Sequence, residues 1–403
     1  MSSYKKNLIS VGSLSLLNVI FSFLLSVVIS REYGPEGRGF IYLPVTLITL
    51  FLPILTLGSK QSLSYFISSK KLSHELSKKY TIKFYIPITI SLCFIFSIFF
   101  VFINVEYDSY LLILFLIVVT RVVTDIYSYN HILKRKNFII NLIVSVRCVL
   151  DFVFIFIVIY YKQGEGWILL SYAVSSFIAM VFQLKISSRV EFYSLNKIEI
   201  KNTEILLKGV QFALPLFLIG LNVSFDLVIL KYFKGLSEVG IYQTSVTIAN
   251  LLWILPSIIS SVSFSFALDL KESKNEFEKL IKKTFIIIII SLPVAIALFI
   301  LSDFIFIFVY GDEFFKSAMI FKILLPGYFI MLIYKVMYPF VAAKGNTYSA
   351  MLIFLLCFII NVILNIILTP RFGAVGTAYS TLISYTICGI LFIFISYKAI
   401  NHD

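Results

Sequence analysis

Charge is what this sequence has least of. Only 14% of its 403 residues are Asp, Glu, Lys or Arg, against about 25% in soluble domains, and the mean hydropathy is +0.98. A single large water-soluble core does not account for this. The apolar residues come in repeated runs of about 20, each able to cross a hydrocarbon layer of about 30 Å. Cysteine is scarce as well: Cys93, Cys148, Cys357 and Cys388 all lie inside apolar runs without paired spacing, which implies neither a disulfide framework nor a zinc site. His74, His131 and His402 stand alone in connections or at the terminus and are expected to be solvated. The chain also lacks a G-x-x-x-x-G-K-[ST] phosphate loop, an H-E-x-x-H pair and paired carboxylates in any loop large enough to form a pocket. Nothing therefore nominates an enzyme, a resident metal or a cofactor.

What is present is an all-α polytopic membrane pattern. Helices are the choice that leaves no backbone group unpaired in lipid, whereas a β-barrel would show alternating segments of about ten residues. Twelve are expected, over 8–29, 39–67, 84–104, 110–130, 138–160, 167–185, 206–230, 240–266, 284–303, 314–340, 348–368 and 374–397. The first run follows Lys5 and Lys6, but it is too long for a signal h-region and lacks a small-residue cleavage site, so it reads as a retained helix. Most of the 34 basic residues fall in alternate connections, chiefly 68–83, 131–137, 185–208 and 267–283. The positive-inside rule then places both termini in the cytoplasm. Tyr107, Tyr110, Tyr160, Tyr161 and Trp167 fall at expected outer ends, where aromatic side chains anchor helices at the interface. The net charge of +13 is mostly topology charge and requires no nucleic-acid partner.

An even number of helices per half would give both halves one orientation, and a faint repeat points that way. "REYGPEGRGFIY" before the second helix is echoed by "KYFKGLSEVGIY" before the eighth, and Pro53 and Pro256 fall at similar depths after them. The expected division is a six-helix bundle over 1–200 and another over 201–403, with a site between them. The polar stretch 186–205 would be the linker, too short to hold a soluble catalytic domain.

Ionisable groups deep in lipid are expensive and mark function by default. Helix four carries Arg121 and Asp125, helix five Arg147 and Asp151, each pair at the i,i+4 spacing of one helix face. Counting from the cytoplasmic ends at 1.5 Å per residue puts the two arginines at similar depth. Two readings stay open. Each Arg–Asp pair staples the bundle by neutralising itself, or the arginines face a water-filled cavity and grip an anion bidentately. Lys60 either lines the same cavity or snorkels to the interface. Asp226 has no basic neighbour in its own helix until Lys231; it either pairs with another element or exchanges a proton.

Near the C-terminal end a family pattern emerges. Lys344-Gly345, Asn361 and Asn365 in "NVILN", and Pro370, Gly373 and Gly376 in "TPRFGAVGTAYSTLIS" resemble polysaccharide flippases of the Wzx type, in the multidrug/oligosaccharidyl-lipid/polysaccharide exporter superfamily. The opening "GPEGRG", "FDLVILKYF" with Asp226, and "VYGDEFFKSAMIFKILLPG" look like the same family. The resemblance implies a MATE-like fold of two six-helix bundles around a central cavity. It implies flipping of undecaprenyl-diphosphate-linked oligosaccharide, such as an O-antigen or capsule unit, from the inner to the outer leaflet of the bacterial cytoplasmic membrane. Cavities of that family are cationic; the positions matching here would be Arg31, Arg38, Lys60, Arg121 and Arg147. Asp125, Asp151 and Asp226 would serve ion coupling or pairing. A polysaccharide polymerase and a chain-length regulator are the implied protein partners. "SREYGPEGRG" (30–39) would be an outer connection, either a plain turn or a place where Arg31 or Arg38 meets the departing diphosphate. A cation-coupled drug or metabolite exporter of the same fold is the nearest rival, disfavoured by the mid-helix arginines. A membrane enzyme of polysaccharide assembly is disfavoured by the short outer connections.

Overall fold

A computed structural model describes residues 2–68, 72–133, 137–188, 201–260, 274–343 and 347–401. Most of the 186–205 linker, together with Lys344, Gly345 and His402, lies outside those residues. The described residues are helical almost throughout, with no strand among them. They divide into two compact units, 44–217 and the combination of 1–43 with 218–403.

The 44–217 unit holds the end of α1 (Ser2–Leu55), then α2 (Ser59–Ser68), α3 (His74–Tyr80), α4 (Ile86–Ile103), α5 (Leu111–Tyr127), α6 (Tyr129–Leu133), α7 (Asn137–Tyr160), α8 (Glu165–Ser188) and most of α9 (Asn202–Ser224). Within it α5 and α7 both pack on α8. One end is filled by Leu63, Phe66, Leu72, Tyr85, Tyr129 and Ile205, where Tyr85 meets the Ser62 hydroxyl at 2.9 Å.

The other unit takes the start of α1 and the end of α9, then α10 (Asp226–Ala249), α11 (described over 254–260), α12 (Lys274–Ile305), α13 (Phe315–Ile330), α14 (Leu332–Ala343), α15 (Thr347–Phe372) and α16 (Ala374–Asn401). Here α16 packs against α13 and α15, and Trp253 stacks on Tyr328 at 4.4 Å.

Ten apolar spans long enough to cross a membrane occur among the described residues, and the chain is a multi-pass membrane protein. Two of them, Gly12–Ile67 and Asn202–Ser260, run 56 and 59 residues, room for two crossings each at about 20 residues per crossing. The sequence expects connections at 30–38 and 231–239. The structure instead keeps both stretches helical except at single residues, Gly34 (φ 61°) in α1 and Gly235 (φ 78°) in α10. One glycine at positive φ, which costs other residues about 1 kcal/mol or more, redirects each helix without a loop.

The echo between these stretches is built into the packing. Gly39 and Gly240 bring α1 and α10 into backbone contact: a Cβ on Gly39 would overlap the Leu236 carbonyl, and one on Gly240 the Pro35 carbonyl. Two further expectations are corrected. His131 is buried rather than solvated, because its helix α6 packs on α2. Tyr107 is fully buried, whereas Tyr160, Tyr161 and Trp167 are exposed as interface anchors should be.

Candidate functional site: a cationic pocket among α1, α5, α7 and α8

Four helices of the 44–217 unit enclose a pocket of about 210 Å³. Its polar lining includes Arg121, Thr124 and Asp125 from α5, Arg147 from α7, and Ser176 and Gln183 from α8. Ile48 and Leu52 of α1 and Ile143 of α7 supply apolar wall. Helical periodicity explains the set. Residues 121, 124, 125 and 128 recur at three and four positions, as do 140, 143, 144 and 147, so each group occupies one face.

The electrostatics of the pocket are unbalanced. Arg121 is 8% exposed, and its charged neighbours are Arg147 and Asp151. Its Nε, the Nε of Arg147 and the hydroxyl of Ser176 are buried without a hydrogen-bond partner among the described residues. Arg147 approaches Asp151 only to 3.9 Å, and Asp151 accepts a hydrogen bond from Ser175. Asp125 pairs with Lys60 of α2, Nζ to Oδ1 2.9 Å. Two guanidinium groups thus share one long-range carboxylate in a region where unpaired charge is costly. A planar guanidinium fork matches the geometry of phosphate or carboxylate oxygens, so the chemistry open to this pair is contact with an anion.

Of the five cationic positions named from sequence, Arg121 and Arg147 line this pocket, and Lys60 stands behind it on Asp125. Arg31 and Arg38 belong to the other unit, where both are engaged by protein. Arg38 is fully buried. It donates to the Ser26 carbonyl (2.9 Å), the Ser26 hydroxyl (2.8 Å), the Ser30 hydroxyl and Thr247 Oγ1 (2.9 Å), with its guanidinium 4.6 Å from the Tyr42 ring. Arg31 donates to the carbonyls of Phe308 and Val309 and borders an open hollow of about 720 Å³ that also carries Glu32, Glu36 and Glu313.

Asp226, also in that unit, is 1% exposed. It accepts hydrogen bonds from Tyr242 (2.5 Å), Thr381 (3.1 Å) and the Leu227 amide (2.9 Å). No Lys or Arg pairs with it among the described residues. Hydroxyls rather than a cation hold this carboxylate.

Sequence reasoning missed Ser175, Ser176, Gln183, Tyr242 and Thr381. The two serines sit in "SYAVSS" and repeat at helical spacing with Gln183. Small polar residues in a membrane helix were the available signal. Lys335 lies 4.3 Å over the Trp253 ring in the other unit.

The family profile described as "Polysaccharide biosynthesis protein" matches residues 4–268. No curated protein sequence matches the chain. Among solved structures, the lipid II flippase MurJ in an inward closed conformation superimposes with a TM-score of 0.78 at 17% identity, covering 99% of this chain and 88% of that one. The Vibrio cholerae MATE transporter VcmN gives 0.71 at 14% identity, covering 100% and 98%. A multidrug/oligosaccharidyl-lipid/polysaccharide exporter superfamily transporter from Pyrococcus furiosus, described as having a binding pocket of reversed polarity, gives 0.67 at 15%, covering 98% and 96%. At these identities the likeness establishes the fold, which these flippase and transporter structures share.

Proposed function

Because the chain belongs to the polysaccharide biosynthesis protein family, we propose that it flips undecaprenyl-diphosphate-linked oligosaccharide from the inner to the outer leaflet of a bacterial cytoplasmic membrane. The observation that carries this reading is the pair Arg121 and Arg147, side by side and under-compensated in one pocket. A diphosphate diester offers them several acceptor oxygens and the missing negative charge. At about 210 Å³ the pocket is below the about 300–1,000 Å³ typical of whole-ligand sites. It therefore suits a headgroup rather than a string of sugars. The apolar wall suits the first isoprene units behind that headgroup.

The proposed cycle is alternating access between the bundles 1–200 and 201–403, with both termini cytoplasmic. In it Asp226 is the coupling candidate: a buried carboxylate held by neutral hydroxyls can exchange a proton or a cation without breaking an ion pair. Asp151 is a pairing residue for Arg147. A polymerase and a chain-length regulator are the expected partners on the polysaccharide route.

The test is deletion of the gene in its host, with measurement of which leaflet holds the lipid-linked oligosaccharide. Accumulation on the cytoplasmic side with loss of surface polymer is expected. It should be rescued by the wild-type copy and not by an equally expressed Arg147→Ala copy. Normal leaflets and normal polymer in a host without a second flippase would reject the reading.

A further inference from the structure

We infer that Lys60 is a positioning residue that keeps the anion pocket open by holding Asp125 away from Arg121. The inference rests on the anion reading of that pocket. Arg121 and Asp125 stand four residues apart on α5, the spacing at which opposite charges pair on one helix face. Among the described residues no ion pair joins them, and the charged neighbours of Arg121 are Arg147 and Asp151 instead. On α7 the same spacing does bring Arg147 and Asp151 toward each other, to 3.9 Å. What distinguishes α5 is a lysine from another helix, at 2.9 Å from Asp125.

The placement of Lys60 is built by the backbone. After α1 ends at Leu55, Leu57 and Gly58 both take positive φ, 51° and 58°, and α2 begins afresh at Ser59. Gly58 and Gly209 abut so closely that a Cβ on either would overlap the other strand of backbone, the Gly209 carbonyl in one case and the Leu57 carbonyl in the other. The turn is pinned, and Lys60 is the second residue after it. Asp125 lines the pocket, so a carboxylate released there would act twice. It would repel an incoming anion, and it would offer Arg121 an internal partner in its place. Lys60 suppresses both effects from outside the lining.

The prediction concerns signs. Full-length protein in lipid nanodiscs is titrated calorimetrically with farnesyl diphosphate. Lys60→Met and Lys60→Gln should each weaken binding roughly tenfold, as expected when a close charge pair is broken from one side. Asp125→Asn, which removes a negative charge from the lining, should bind more tightly than wild type. The double variant Lys60→Met/Asp125→Asn should return to within about threefold of wild type, the non-additivity that marks a coupled pair. A double variant as weak as Lys60→Met would make Lys60 a direct anion ligand and overturn the inference. Weaker binding in both single variants, with lowered unfolding temperatures, would make the pair a structural staple and overturn it equally. A wild-type protein that fails to bind farnesyl diphosphate would overturn the pocket reading itself, an outcome distinguishable from either.

Discussion

Two buried arginines show what a single residue's environment decides. Arg38 and Arg121 are both under 10% exposed, and in the sequence both are simply arginines near apolar runs. Both leave the Nε without a hydrogen-bond partner among the described residues, but Arg38 spends its two terminal guanidinium nitrogens on four acceptors of its own chain, while Arg121 borders a pocket beside Arg147. Their substitutions should therefore behave oppositely. Arg38→Met is expected to lower stability by about 2 kcal/mol or more, the usual loss for hydrogen bonds to a charged group. Anion affinity of the surviving folded protein should stay unchanged. Arg121→Met should cost less than about 1 kcal/mol in unfolding and abolish farnesyl diphosphate binding. Thermal unfolding in detergent beside calorimetry reads both. Asp226 gives a further contrast: Asp226→Asn keeps an acceptor for Tyr242 and Thr381, whereas Asp226→Leu leaves both hydroxyls without it. The leucine variant should be the less stable by about 1–3 kcal/mol, the cost of buried unsatisfied groups, in the same unfolding assay.

At the scale of the element, the decisive features are interruptions rather than helices. Hydropathy found the helices because lipid imposes one simple rule on them. It could not find that 30–38 and 231–239 are helical, since Gly, Pro and charge together read as a loop. The structure shows that one glycine suffices at each site. The repeated motif nevertheless has a counterpart in the packing, because Gly39 and Gly240 face each other's backbone. Small residues that let membrane helices touch are a recurring packing device. Gly39→Val should thus separate α1 from α10 and lower the unfolding temperature or the monodisperse yield, an overpacking cost of about 1–3 kcal/mol or more. Gly164, whose added Cβ would meet nothing within 4 Å, is the control, and Gly164→Ala should leave both unchanged.

For the whole molecule, the apolar runs and the absences sufficed to place it as a helical membrane protein, and the C-terminal pattern pointed to its family. The candidate site was legible only in part. Arg121, Arg147, Asp125 and Asp151 stood out because charge inside lipid is rare. Which of them remain available for a ligand depends on partners from other helices, Lys60 and Ser175, that no local spacing reveals. The proposed function requires this chain itself to move a diphosphate-linked glycan across a bilayer, using the two pocket arginines. Purified protein in liposomes loaded with undecaprenyl-diphosphate oligosaccharide tests it most directly, by the rate at which inner-leaflet glycan becomes accessible to an external glycan-cleaving enzyme. Wild-type protein should give a fast phase that is absent from empty liposomes and from those holding an Arg121→Ala/Arg147→Ala variant. Equal rates in all three would contradict it.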